Sequence, residues 1–183
     1  MPASTSRVWI YMTGAVLIVV IALAGLGVYG LMHSTANVET HIAPPSPLIS
    51  DYERAERFLN VDLGPALVET NQALPGVNAQ CTAALPPSCK DALITLNKAM
   101  LDLDNAMTNH QRDIPPCIGP QVQQFKDDWS GMEQGVSMAI GGYTANSRTL
   151  IIEGLQKYAA IAKFIKPDVD RINAAQQTCK KTV

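Results

Sequence analysis

The chain has 183 residues and 19.7 kDa, the length of one domain or of one domain with an anchor. A formal charge of -2 and an isoelectric point near 5.9 exclude a nucleic-acid binder that works through a general basic surface, since that mode needs a clustered excess of Lys and Arg. Hydrophobic residues make up 47% of the chain, and many of them sit in one uncharged block of 25 residues, 8–32.

At 1.5 Å per residue a helix over that block spans about 37 Å, enough to cross a bilayer core with some tilt. A cleaved secretory signal is the main rival, with Arg7 as its positive start and Ala22-Leu23-Ala24 as a cleavage candidate. The apolar run continues beyond that point through Tyr29 to Met32, longer than a signal core. Trp9, Tyr11 and Tyr29 fall near its two ends, where interfacial rings are favoured. The expected division is a cytoplasmic N-terminus (1–7), a transmembrane anchor (8–32), a linker (33–49) and a helical domain (50–183). Arg7 precedes the block and no Lys or Arg follows it until Arg54, so the positive-inside rule places the domain outside the cytoplasm. A single-pass protein of the plasma (inner) membrane is expected, and the lack of any Asn-x-Ser/Thr sequon favours a bacterial envelope.

The linker contains Ala43-Pro44-Pro45-Ser46-Pro47, a semi-extended spacer. Ser50 with Glu53 three residues later reads as a capping box. It opens a first helix, expected to bend at Gly64-Pro65 and to stop at Leu74-Pro75-Gly76. Ser88 and Asp91 mark a second start, and Leu93, Leu96, Met100, Leu103 and Met107 then recur at heptad-like spacing.

The stretch from Asp113 to Pro120 ends the second helix and starts a third, whose apolar seam is Val122, Phe125, Trp129, Met132, Val136 and Ala139. Gly131, Gly135 and Ala139 form a small-residue stripe beside it, and Gly141-Gly142 is expected to end it. A last helix, from about Thr144, carries Ile151, Leu155, Tyr158, Ala162, Ile165, Val169 and Ile172 and continues past Pro167. Four seamed helices with Pro/Gly-rich connections and no period-2 runs predict an all-α fold, an antiparallel four-helix bundle with two disulfides.

Chemistry-bearing patterns are sparse. His33, His41 and His110 lie far apart and show no helical metal-ligand spacing, so no metal site is expected, and no cofactor. Cys81, Cys89, Cys117 and Cys179 contain no Cys-x-x-Cys and read as structural bridges. An up-down-up-down bundle puts Cys81 and Cys89 at one end and Cys117 and Cys179 at the other, which allows only the pairings 81–89 and 117–179. Asp102/Asp104 and Asp127/Asp128 are too close in sequence to face one another on a helix. Gly25, Gly27 and Gly30 have the spacing of a dinucleotide fingerprint but lie inside the apolar block without a preceding strand.

No catalytic residue is expected. The sequence predicts a membrane-tethered interaction or accessory protein that docks on an envelope or membrane protein, held in the lipid bilayer by residues 8–32 and binding no nucleic acid. The alternative is an extracytoplasmic small-ligand or sensing domain. Ile94, Leu101, Ile152, Ile161 and Phe164 flank the seams and distinguish the two readings: exposed, they favour docking; enclosing a cavity, they favour a ligand.

Overall fold

The structure is a computed structural model that describes residues 49–181; the expected anchor at 8–32 and most of the linker lie outside those residues. Among the described residues no helix is long and apolar enough to cross a membrane. They form five α-helices and no strand: α1 (Asp51–Arg57), α2 (Gly64–Gln80), α3 (Pro87–Asn109), α4 (Gly119–Thr144) and α5 (Arg148–Thr178). The predicted all-α bundle with two disulfides is therefore present.

The expected first helix is two helices. Ser50 caps α1 through a complete capping box, with its backbone N–H donating to Glu53 Oε2 at 2.9 Å. A π-helical turn, Phe58–Asp62, follows, and the chain bends at Leu63 before Gly64 and Pro65 open α2. The interruption expected at Gly64-Pro65 is there, and Pro65 occupies a first-turn position that needs no N–H partner.

The stop expected at Leu74-Pro75-Gly76 is overturned. Helix α2 runs through Pro75 to Gln80 because Leu74 and Val77, each 1% exposed, stay on the buried face while Pro75 points to solvent. Losing one hydrogen bond in a helix costs about 3 kcal/mol, and burying two such side chains contributes a comparable or larger amount. Helix α3 likewise begins at Pro87, with Pro86 at the cap position, so Ser88 lies inside the first turn and caps nothing.

The three predicted seams of α3, α4 and α5 are buried without exception. Trp129 anchors their meeting point: its ring is fully buried and its Nε1 donates to the Met100 carbonyl at 3.1 Å. The contact between α4 and α5 is much closer than side-chain packing permits. A Cβ on Gly135 would stand 2.6 Å from the Tyr158 backbone nitrogen, so only a bare Cα fits.

That close approach corrects two boundaries. Gly141-Gly142 does not end α4, because Gly142 is buried against the Ile151 backbone and the helix continues to Thr144. The last helix starts at Arg148, not Thr144. Asn146 turns the chain with φ 51°, a conformation Asn tolerates, and the Ser147 hydroxyl accepts from Leu150 N. Helix α5 continues through Pro167, as expected.

The ends of the bundle are tied by hydrogen bonds that fix the directions of the helices. Tyr143 Oη donates to Pro86 O at 3.3 Å and Arg148 Nη2 to Ala83 O at 2.9 Å, so the α4–α5 turn meets the α2–α3 connection. At the opposite end Tyr52 N donates to Lys180 O at 3.3 Å, which joins the start of α1 to the end of α5.

Candidate functional site

All four cysteines are paired as the up-down topology requires. Cys81 bonds Cys89 with Cα atoms 4.5 Å apart, and Cys117 bonds Cys179 at 5.4 Å. The second bridge needs reach, because a 31-residue α5 extends far beyond the start of α4. The chain between Asn109 and Gly119 supplies it, passing through a short 3-10 turn (Gln111–Asp113) and a buried Pro115 to Cys117. Both bridges are structural, and no free thiol is present.

That same connection assembles a cluster for which the sequence gave no spacing. His110 sits at the end of α3, where its position was expected, but between two carboxylates. Its Nδ1 lies 3.2 Å from Asp113 Oδ2 and 3.6 Å from Asp62 Oδ2. Asp113 is brought there by the 3-10 turn, in which residues three apart share a face. Asp62 is the last residue of the π turn. One ligand atom from each of the three lies within 4.8 Å of the others, the one grouping of this kind among the described residues. Asp62 is nearly withdrawn from solvent, with its side chain 10% exposed, whereas Asp113 is 63% exposed.

A second pairing crosses from α4 to α5. Neither Asp127 nor Asp128 can share a proton with its sequence neighbour, but Asp128 stands beside the fully buried Asp168. Burial, and then the neighbouring Asp128 carboxyl, push the Asp168 pKa up to about 6 against the pull of Arg171. Arg171 Nη2 donates to Asp168 Oδ1, while Asp168 Oδ2 is buried with no donor. A protonated Asp168 resolves this by donating from Oδ2 to Asp128. The pair is packed inside the α4–α5 interface and has the character of a buried structural acid.

Of the five residues expected to flank the seams, Ile94, Leu101 and Phe164 are 45%, 41% and 47% exposed. Ile152 and Ile161 are half-buried, and Ile161 packs on the core. Two hollows open on the surface. One of about 420 Å³ lies at the Cys81–Cys89 end, lined by Leu85, Lys90, Tyr143 and Arg148 among others. Another of about 180 Å³ lies between the end of α3 and the start of α4, beside Met107, Gln111, Ile114 and Lys126. Comparison with protein-family models, with curated proteins and with solved structures returns no match to this chain.

Proposed function

We propose that this protein is a membrane-tethered, non-catalytic helical bundle of the bacterial cell envelope that acts by docking on a membrane or envelope protein. In this reading residues 8–32 cross the plasma membrane once, the N-terminus is cytoplasmic, and the bundle stands outside on its Pro-rich linker. Two disulfides within 133 described residues support an oxidising compartment, and the uncharged 25-residue block supports the tether.

The observation that carries the docking role is the outward position of Ile94 and Leu101. They are seven residues apart and so share one side of α3, beside a seam that is already filled. A photo-reactive amino acid at Leu101, activated in intact membranes, is expected to give one discrete adduct. Ile94→Ser, which leaves the buried seam untouched, should abolish it. Absence of any adduct, or one indifferent to Ile94→Ser, would count against docking through α3.

The alternative of a small-ligand or sensing domain is supported by the 420 Å³ hollow, where Lys90 and Arg148 offer two cations to an anionic ligand. Lys90→Ala with Arg148→Ala separates the readings: docking through α3 survives the change, and anion binding does not.

A further inference from the structure

Three pieces of chain converge beyond the end of α3: the π turn ending in Asp62, the cap residue His110 and the 3-10 turn ending in Asp113. The Asp62 carboxylate is nine-tenths buried, and its ion partner among the described residues is His110. A carboxylate so far from water needs positive charge beside it. His110 supplies that charge as an imidazolium, or, as a neutral ring, presents the Nδ1 lone pair to a metal ion lying between the two carboxylates.

The spacing fits the second arrangement. Around a tetrahedral ion with bonds of about 2.0–2.1 Å, neighbouring ligand atoms stand about 3.3–3.4 Å apart. The observed separations from His110 Nδ1, 3.2 and 3.6 Å, bracket that value without any rearrangement of the backbone. The supports are also in place. Asp113 N donates to His110 O at 2.9 Å, which locks the two ligands on one face, and Arg54 Nη2 reaches Asp113 O at 3.5 Å. A π turn re-aims a side chain by shifting the helical register, here that of Asp62, and such turns are frequent at functional positions.

From this geometry we infer that Asp62, His110 and Asp113 bind a divalent transition-metal ion of the zinc class. One imidazole with two carboxylates selects against Mg²⁺ and Ca²⁺, which take oxygen ligands alone. The exposed side of Asp113 leaves room for water as the fourth ligand. The ion cross-links the π turn to the α3–α4 connection, next to the segment that delivers Cys117 to its partner. The inference is independent of what the bundle docks on.

Zn²⁺ titration of the full-length protein in detergent, followed by calorimetry and by thermal melting, tests it. One equivalent of Zn²⁺ is expected to bind and to raise Tm, with Mg²⁺ and Ca²⁺ ineffective at the same concentration. His110→Gln and Asp113→Asn should each weaken binding by about tenfold or more while leaving the helical circular dichroism spectrum unchanged. Asp113→Asn is the decisive variant, since an exposed carboxylate is not needed for folding. Replacing His33 and His41 together should leave binding intact. No stoichiometric Zn²⁺ binding, equal affinity in Asp113→Asn, or binding that disappears with His33 and His41 overturns the assignment.

Discussion

Gly135 and Gly154 are each other's counterparts across α4 and α5. A Cβ on Gly135 would stand 2.9 Å from Gly154 O, and one on Gly154 would stand 2.6 Å from Gly135 O. The obstruction in both directions is backbone, which cannot rotate away. The two helices are thus held at a distance set by the absence of two methyl groups.

Gly154→Ala is accordingly expected to destabilise the bundle by about 1–3 kcal/mol, the range for overpacking a tight site. Gly141 is the control. It lies in the same helix pair, is exposed, and would present a Cβ to open space. Gly141→Ala should stabilise by about 0.5–1 kcal/mol through helix propensity. Chemical denaturation of the two variants beside the parent decides between them.

Asp168 gives a pH dependence of unusual sign. Its folded pKa, about 6, lies above its ordinary value of 3.8, so between those values the folded protein holds a proton that the unfolded chain has released. Its contribution to stability is full below pH 3.8 and is lost as the pH rises through about 6. Asp168→Asn keeps a neutral side chain at every pH. The difference in stability between variant and parent should therefore shift in the variant's favour from pH 4 to pH 7, as followed by urea denaturation at a series of pH values. A constant difference would show that Asp168 stays ionised.

The two disulfides differ in the length of chain they close, with separations of 8 and 62 residues. By loop-closure entropy the shorter contributes about 2.5 kcal/mol and the longer about 4. Paired Cys→Ser variants should rank in that order in denaturation midpoint. Non-reducing peptide mapping should recover the 81–89 and 117–179 links and no others.

The tether has its own check. The protein should sediment with membranes, resist carbonate extraction and keep its N-terminus by mass spectrometry. A soluble form beginning near Gly25 would identify the apolar block as a cleaved signal.

What the sequence made legible was whatever repeats along one helix. The seams from Leu93 to Met107, Val122 to Ala139 and Ile151 to Ile172 follow helical spacing, and all of their residues are buried. The cysteine pairing followed from the same regularity, because helix direction alone fixes which ends meet. Local stop rules failed where packing outweighed them: Pro75 and Gly142 are both poor helix residues, and each lies within a helix whose neighbouring side chains or backbone are buried. Asp62 with His110, and Asp128 with Asp168, were invisible because they are 48 and 40 residues apart and no periodicity connects them. The π turn adds to this, since it displaces Asp62 from the face that a regular α-helix would have given it.

The hydrogen bond from Tyr52 N to Lys180 O brings the two ends of the described chain side by side. Such a molecule lends itself to circular permutation. A few flexible residues could join the C-terminal end of α5 to the start of α1, and new termini could be opened between Thr82 and Ala83, both exposed. Every helix would survive the cut. The bond between Cys81 and Cys89 would then become the sole covalent link between α2 and α3 at that end, and the bundle would carry its severed point at the tip farthest from where its tether had been attached.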